Sequence, residues 1–346
     1  MKEIIARFGI NGSEANVRPL GNGLINSTLL VELPGDGKKY VLQKINNSIF
    51  TDVDALQHNI KLVTECIDKH LKDSGISDTS RRCLHFLPDV VTGKTYYCTP
   101  GGEYYRMMEF IPDSITHESM NADLARAAGK AFGDFQKIVA PLASELKDTI
   151  PHFHDMEFRL AQLDEAVAAD KVGRVANCRE LLDYISSLRD EATLPEKMYR
   201  EGKLPLRVCH CDTKVNNVLF DNDGNILCVI DLDTVMPSLI LSDYGDFLRT
   251  GANAAPEDEP DLSRIALDHE IYDAFTEGYL ETATFLTEAE RELLPKAMFR
   301  FAFMQGVRFL TDYLQGDTYF KIQYPEHNLV RTRAQLHLAS LALPAE

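Results

Sequence analysis

The first hundred residues carry short β-prone runs separated by turn residues. Strands are predicted at 29–33, 40–45, 87–91, 95–98 and 104–111. The turn Pro34-Gly35-Asp36-Gly37 joins the first two runs and predicts a β-hairpin. Apolar residues spaced by three or four positions predict one helix, over about 53–70. This part of the chain therefore reads as a small antiparallel sheet with a single helix.

After Pro112 the spacing of apolar residues changes to the helical period. Helices are predicted over 121–140, 156–170, 177–192, 269–282, 287–300 and 300–315, and one β-rich island lies at 206–235. The pattern predicts an α+β protein with two lobes. A small β-rich N-terminal lobe spans 1–110, and a larger, mainly helical C-terminal lobe spans 111–346. The acidic run at 257–261 is predicted to be a solvated loop.

Composition and net charge limit the kinds of molecule that this protein is expected to bind. The 346 residues include 53 acidic and 36 basic side chains, for a net charge of −17, and 45% of the chain is hydrophobic. Such an acidic chain without a basic stripe argues against a nucleic-acid partner. No apolar stretch approaches the roughly 20 residues of a membrane span, and the start lacks the apolar core of a secretory signal. We therefore expect a cytoplasmic protein that has no membrane partner.

The seven cysteines do not indicate a metal or disulfide framework. They are odd in number and scattered through the chain. Cys209 and Cys211 lack a second pair with matching spacing, so zinc is not expected.

The most informative segment lies in the β-rich island. It contains the pattern His210-x-Asp212-x-x-x-x-Asn217, then a predicted hairpin over 218–230, and then Asp231 at the end of an apolar strand. A lone His-x-Asp is common by chance, but the complete set in this strand–turn–strand context is far more specific.

This set matches the needs of phosphoryl transfer. That chemistry requires a carboxylate to orient the attacking hydroxyl and oxygen ligands to hold Mg²⁺ against the phosphates of ATP. Asp212 is the predicted catalytic base, and Asn217 and Asp231 are the predicted metal ligands. The hairpin is expected to return residues 217 and 231 to one edge. His210 is interpreted as structural, bonded to the loop backbone.

Nucleotide-binding residues are predicted in the N-terminal region. Gly21, Asn22, Gly23 and Asn26 form a glycine-containing turn whose amides suit phosphate oxygens, although a plain hairpin turn fits too. Lys44 is the candidate cation for the phosphates, with Glu65 as a possible ion-pair partner; an exposed strand lysine is the alternative. The strand end at Glu109 and Ile111, where the two regions join, completes the set.

The motif resembles that of the aminoglycoside-phosphotransferase and choline-kinase-like superfamily. Further segments are most similar to the N-acetylhexosamine 1-kinase group: Tyr40-Val41-Leu42-Gln43-Lys44-Ile45-Asn46, Ile150-Pro151-x-Phe153-His154, His210-Cys211-Asp212-Thr213-Lys214-x-Asn216-Asn217, Ile230-Asp231-Leu232-Asp233-Thr234-Val235-Met236-Pro237, Asp243-Tyr244-Gly245-Asp246-x-x-Arg249, and 308–320 with Arg308, Asp312 and Tyr319. These segments are spread over about 20–335.

The resemblance implies a bilobal protein-kinase-like fold, ATP with Mg²⁺, and phosphorylation of the anomeric 1-hydroxyl of N-acetylglucosamine or N-acetylgalactosamine. It also implies Asp212 as base and Asn217 with Asp231 as metal ligands. The chain departs from the superfamily at Cys211, where many members carry glycine. The pair Gln43-Lys44 leaves open which residue occupies the phosphate-binding lysine position.

Candidate acceptor-site residues follow the metal strand or lie on a late helix: Asp233, Asp243, Asp246, Arg249 and Arg308. A buried ion-pair network that braces the large lobe would use the same residue types. An acceptor site built from acids would also suit an aminoglycoside, choline, ethanolamine or a homoserine-like compound. A catalytically silent, kinase-shaped binding protein is a further alternative, disfavoured because the base and both metal ligands are present.

Overall fold

The computed structural model describes residues 1–21, 25–35, 37–117 and 119–343. The strands are β1 Asn16–Pro19, β2 Ser27–Glu32, β3 Lys39–Ile45, β4 Tyr97–Cys98, β5 Tyr104–Glu109, β6 Arg207–Cys209, β7 Val218–Phe220, β8 Ile226–Val229 and β9 Met236–Ser238. The helices are α1 Lys2–Ala6, α2 Val53–Asp73, α3 Thr79–Arg82, α4 Ala122–Val139, α5 Met156–Ala169, α6 Arg179–Ser187, α7 Arg189–Arg200, α8 Leu241–Gly251, α9 His269–Thr282, α10 Glu288–Leu293, α11 Ala297–Gln315 and α12 His327–Ala342. The predicted α+β class is confirmed.

The chain forms two compact units that are not continuous in sequence. The first comprises Met1–Thr116, Ile138–Pro151 and Val218–Met236, and the second comprises His117–Lys137, His152–Asn217 and Pro237–Glu346. The first unit contains the whole of the predicted N-terminal lobe and adds two later segments. A domain boundary near residue 110 stays a prediction.

The first unit is built on a five-stranded antiparallel sheet in the order β1-β2-β3-β5-β4. Along β3, Leu29 pairs with Leu42, and Leu42 pairs with Met107 of β5. Because side chains alternate across a strand, these residues share one face of the sheet. Ile5 of α1 packs with Leu42 and Met107 in a buried apolar cluster. The opposite face carries polar side chains, which matter for the site.

The second unit is mainly helical and is organised around α11. This helix packs against α5, α8 and α12, and most of its residues are buried. Gly245 allows α8 to approach closely, because an added Cβ would collide with the backbone carbonyl of Ala297. The close approach fixes the position of α8, which carries three of the candidate site residues.

Most predicted elements are confirmed, and the exceptions have local causes. The strand predicted at 87–91 is wrong. The Asp89 amide donates to the Lys94 carbonyl at 2.7 Å, which makes a turn, and the contact with β5 is limited to an isolated bridge at Phe86 and the Leu87 amide, which donates to Met107. The helix predicted over 177–192 breaks at Leu188 into α6 and α7. The sequence reading also missed α1, β1, α3 and α12.

The acidic run at 257–261 was predicted to be a solvated loop, but one of its residues is buried. Glu259 is buried and pairs with Arg264 at 3.0 Å. Among the described residues, no helix combines the length and apolar character that crossing a bilayer requires. All seven cysteines are free thiols.

Replacing Gly245 with alanine is expected to destabilise the protein. The added methyl group must displace α8 from α11, and overpacking of this kind costs about 1–3 kcal/mol. Denaturant unfolding of Gly245→Ala against Gly35→Ala, where an added Cβ meets nothing within 4 Å, measures the effect. Equal stability of the two variants would contradict the close packing described for α8.

Candidate active site

The loop that carries Asp212 begins directly after β6. Cys211 adopts φ 61°, the left-handed region that side chains other than glycine seldom occupy. This conformation gives a physical reason for the glycine that the resembling superfamily often has at this position. The backbone therefore turns sharply just before Asp212.

A buried carboxylate holds this turn. Asp243 of α8 is 1% exposed, and its Oδ2 and Oδ1 accept hydrogen bonds from the backbone amides of His210 and Cys211, each at 2.7 Å. The hydroxyl of Thr213 donates to the backbone carbonyl of Asp243, also at 2.7 Å. Burial raises the pKa of the Asp243 carboxyl, and His210 with the loop amides partly offsets the rise. Both oxygens of Asp243 thus serve the loop.

Two more buried side chains extend this brace. Gln136 of α4 donates from Nε2 to Asp243 at 2.6 Å, and the hydroxyl of Tyr279 on α9 donates to Gln136 Oε1 at 2.6 Å. His210 is fully buried, with its ring edge-on to Phe132 at 5.7 Å between centroids. Its burial agrees with the structural role expected for it.

Asp212 itself is accessible. Its side chain is 27% exposed, and its Oδ1 lies 2.6 Å from the Nζ of Lys214. Asn217 donates from Nδ2 to the Asp212 backbone carbonyl at 2.8 Å and to its Oδ2 at 3.3 Å. The second unit therefore brings together the predicted base and one predicted metal ligand, with a lysine beside them.

The predicted hairpin is confirmed in the first unit. Val218 pairs with Val229, and Leu219 pairs with Cys228. Asp231 follows β8, the second strand of the hairpin; it is exposed and adopts φ 60°, ψ 57°. A non-glycine residue in this region is uncommon, and such backbone conformations cluster at functional sites.

A polar network occupies the sheet face opposite the apolar cluster. Arg106 of β5 is 2% exposed, and its Nη1 lies 2.5 Å from Asp233 Oδ1. The Nε of Arg106 donates to Gln43 Oε1 at 2.9 Å, and Gln43 donates to Thr28 Oγ1 at 3.1 Å. Asn26 donates from Nδ2 to Asp233, and its own Oδ1 accepts from the Asn46 amide. Asp233, a candidate acceptor-site residue, is thus buried between Arg106 and Asn26.

Lys44 lies on the other face of the sheet. Its neighbour Gln43 points toward Arg106, so the alternation of side chains turns Lys44 away. Lys44 is 44% exposed and pairs with Glu103 at 2.5 Å. Glu65, the partner considered from the sequence, lies 3.9 Å from Lys61 instead.

The other predicted nucleotide-binding residues have varied surroundings. Asn22 and Gly23 lie outside the described residues. Gly21 is exposed with φ 68°. Glu109 ends β5 as an exposed side chain, and Ile111 is buried and accepts a hydrogen bond from Ser114 through its carbonyl at 2.7 Å.

Asp246 and Arg249 form a buried pair on α8. Two nitrogens of Arg249 lie 2.9 and 3.1 Å from Asp246 Oδ1, and a third lies 2.7 Å from Glu257 Oε1. Burial raises the pKa of Asp246 to about 6, against the attraction of Arg249 and with the charge of Asp212 adding to the rise. This dependence places Asp246 in the electrostatic field of Asp212.

Arg308 is partly buried on α11 and donates to Gln305 Oε1 at 2.8 Å. Asp312, one turn further along, accepts backbone amides from Thr318, Tyr319 and Phe320 at 2.8–3.0 Å. Asp312 therefore shapes the loop after α11.

The residues proposed for Mg²⁺ present suitable donors. Asn217 offers an amide oxygen and Asp231 an exposed carboxylate, both hard ligands of the type that Mg²⁺ prefers. Across the described chain, no three His, Cys, Asp or Glu side chains group together as a metal cluster. A magnesium site that is completed by nucleotide phosphates does not require such a cluster.

Comparison with known proteins identifies the family. The profile of the phosphotransferase enzyme family matches residues 16–293. The chain therefore belongs to this family, and its enzyme class is that of a kinase-like phosphotransferase.

Solved structures share the fold at low sequence identity. An aminoglycoside phosphotransferase from Alicyclobacillus acidocaldarius is 12% identical with a TM-score of 0.60, over 99% of this chain and 96% of that chain. A spectinomycin phosphotransferase in complex with ADP and spectinomycin is 16% identical with a TM-score of 0.56, over 98% and 95%. A choline kinase from Streptococcus pneumoniae is 16% identical with a TM-score of 0.53, over 98% and 97%. The protein-kinase-like fold implied by the sequence resemblance is confirmed.

Arg106 was not among the residues singled out from the sequence. A charged residue inside the apolar strand Tyr104-Tyr105-Arg106-Met107-Met108 was the available signal, because buried arginines are rare unless paired. The structure pairs it with Asp233.

The pKa of Asp246 predicts a pH-dependent stability. Because the folded carboxyl keeps its proton to a higher pH than the unfolded one, this group destabilises the fold as pH rises from about 4 to about 6. Relative to Asp246→Asn, the free energy of unfolding of the wild type should fall by up to roughly 3 kcal/mol over that pH interval. Denaturant unfolding at several pH values measures it, with Asp273→Asn, an exposed carboxyl, as control. A pH-independent difference would show that Asp246 ionises normally.

Proposed function

We propose that this protein transfers the γ-phosphoryl group of ATP to the anomeric 1-hydroxyl of an N-acetylhexosamine. The observation that carries the proposal is the loop of Asp212: an accessible carboxylate on a sharply turned, braced backbone, beside Lys214 and Asn217. Family membership supports phosphotransfer, and the bound ADP of the spectinomycin phosphotransferase supports ATP as donor.

In this mechanism Asp212 accepts a hydrogen bond from the acceptor hydroxyl and orients its oxygen toward the γ-phosphorus. The new bond joins that oxygen to phosphorus, the bond to the β–γ bridging oxygen breaks, and the hydroxyl proton passes to Asp212. ADP leaves with the electron pair of the broken bond. Asp243 keeps the loop in place by holding the amides of His210 and Cys211.

Asn217 and Asp231 are the proposed ligands of Mg²⁺. They flank the hairpin, one residue before Val218 and two residues after Val229, which pair with each other. When bound, Mg²⁺ neutralises charge on the phosphates. The bond from Asn217 Nδ2 to the Asp212 carbonyl fixes the amide plane and so the direction of its oxygen.

Arg106 is the proposed cation for the nucleotide phosphates, in place of Lys44. Its guanidinium lies on the polar face of the sheet, its Nε donates to Gln43, and its Nη1 lies 2.5 Å from Asp233. Asn26, in the segment predicted to cradle phosphates, bonds to the same Asp233. A cation held in this way is preorganised, whereas Lys44 is occupied by Glu103 on the other face.

The choice of a hexosamine as acceptor is based on the sequence segments that resemble the N-acetylhexosamine 1-kinase group. Two of these segments, 243–249 and 308–320, contain the candidate acceptor-site residues Arg249 and Arg308. The second candidate is a kinase for a cationic acceptor, because the structural neighbours include an aminoglycoside phosphotransferase and a choline kinase. ADP release with a panel of both acceptor types separates the two.

Asp212→Asn is expected to lower kcat by about 10³-fold or more, because the amide cannot take the hydroxyl proton. ATP affinity, measured by calorimetry, should change little. Asp223→Asn, an exposed residue in the turn of the hairpin, is the control and should keep full activity. Activity retained in Asp212→Asn would exclude the assigned base.

Arg106→Gln is expected to raise the KM for ATP about 10-fold or more, because a charge-assisted contact to phosphate is lost. The KM for ATP of Lys44→Gln should stay within about twofold of the wild-type value, since this change removes only an exposed ion pair. Because Arg106→Gln also leaves Asp233 unpaired, Arg106→Lys and the double variant Arg106→Gln/Asp233→Asn test whether lost charge or lost stability is responsible. A larger effect at Lys44 than at Arg106 would reverse the assignment.

A further inference from the structure

One buried side chain in the middle of α2 bonds to two other segments of the first unit. Asn59 is 1% exposed and lies in the interior of the helix. Asparagine is unfavourable in a helix interior, because its side chain competes with the helix for backbone groups. An asparagine at this position therefore indicates a role outside the helix itself.

The side-chain amide of Asn59 makes three hydrogen bonds, each to a backbone group of another segment. Its Nδ2 donates to the Lys147 carbonyl at 2.7 Å and to the Val235 carbonyl at 2.9 Å. Its Oδ1 accepts from the Lys147 amide at 2.9 Å. Both hydrogens of the amide nitrogen are thus used. The bonds tie α2 to the segment around Lys147 and to the turn that ends at Val235.

That turn follows Asp231, the proposed magnesium ligand. It is a 3-10 turn over Leu232–Thr234, and Asp231 precedes it with φ 60° and ψ 57°. Short 3-10 turns have poor hydrogen-bond geometry of their own, and a left-handed aspartate persists only where the surrounding structure holds it. The direction of the Asp231 side chain therefore depends on the contacts that hold the backbone on either side.

The backbone is held on both sides of Asp231. Two residues earlier, Val229 pairs with Val218 in the hairpin. Four residues later, the Val235 carbonyl accepts the bond from Asn59, and Val235 is fully buried. Asn59 thus supplies an anchor on the C-terminal side of the proposed metal ligand.

Thr149 holds the middle of the same turn. Its hydroxyl donates to the Asp233 carbonyl at 3.3 Å. Thr149 lies two residues after Lys147, which Asn59 binds through both backbone groups. Asn59 therefore fixes the turn directly and also through the segment that carries Thr149.

We infer that Asn59 is a positioning residue for the magnesium site: by holding the turn, it sets the direction in which Asp231 presents its carboxylate. The inference rests on the proposed function, in which Asp231 binds Mg²⁺ together with Asn217. Asn59 acts through the backbone between Asp231 and Val235 and not on the metal itself. Contacts that orient a metal ligand typically change metal affinity or activity by about 10- to 100-fold when they are removed.

The experiment measures how strongly Mg²⁺ tightens the binding of ADP, from the ratio of the ADP dissociation constants without and with Mg²⁺ in calorimetry. Asn59→Leu removes all three hydrogen bonds and nearly keeps the size of the side chain. In this variant the ratio should fall about 10-fold or more relative to the wild type. A loss of thermal stability with an unchanged ratio would show that Asn59 only braces the fold, and it would overturn the inference.

His58→Ala is the matched control. His58 precedes Asn59 on α2, is exposed, and has its Nε2 3.2 Å from the Glu145 carbonyl. The variant removes a contact with the segment before Lys147 and leaves the bond to Val235 in place, so the ratio should stay within about twofold of the wild-type value. A fall in His58→Ala as large as that in Asn59→Leu contradicts the inference.

Two further variants cover a failure of Asn59→Leu to fold. Asn59→Asp keeps an acceptor for the Lys147 amide, but its carboxylate cannot donate to the Val235 carbonyl. The ratio should fall here too, and an unchanged ratio overturns the inference. If neither variant folds, Thr149→Val, which removes the bond to the Asp233 carbonyl, decides: a lowered ratio supports the inference, and an unchanged ratio overturns it.

Failure of the proposed function gives a different result. If Mg²⁺ does not tighten ADP binding in the wild type, the proposed magnesium site is excluded, and amide hydrogen exchange then tests the positioning of the turn by itself. Faster exchange at residues 232–235 in Asn59→Asp than in His58→Ala supports control of the turn by Asn59. Equal exchange in the two variants overturns it.

Discussion

The loop of Asp212 depends on one buried carboxylate. Asp243 accepts the amides of His210 and Cys211 at 2.7 Å, and this pair of bonds holds the left-handed turn at Cys211. Gln136 and Tyr279 extend the brace into α4 and α9. Since charge-assisted hydrogen bonds in a dry environment are strong and directional, the position of Asp212 is fixed before any substrate binds. Preorganisation of this kind is what phosphotransfer requires from a protein that contributes little covalent chemistry.

The two units differ in the partners of their buried or partly buried arginines. In the first, the charge of Arg106 is offset by Asp233, 2.5 Å away, and its Nε donates to Gln43. In the second, Arg159 and Arg308 donate to neutral oxygens of Gln162, Phe153 and Gln305, although the chain carries a net charge of −17. Overall charge therefore says little about a site, because local pairing decides the field that a ligand meets.

For several residues singled out from the sequence, the structure shows partners that the sequence did not indicate. Asp243 was a candidate for acceptor binding, yet both of its oxygens serve the catalytic loop. Lys44 was placed correctly on β3, but a single step along a strand moves a side chain to the opposite face. Asp233 is buried against Arg106 rather than free for an acceptor. In each case the residue type was informative, and its partner was more than 30 residues away or on another strand.

The sequence by itself determined the family, the α+β class and the hairpin after Asn217, and it predicted the set of Asp212, Asn217 and Asp231. These features are local: they depend on spacing, on turn residues and on the period of apolar positions, all of which lie within short windows. Only the tertiary structure decided which cation faces the polar side of the sheet and which carboxylate braces the loop. Those properties arise from residues far apart in the chain, such as Arg106 with Asp233 or His210 with Asp243, and no local pattern encodes their contact.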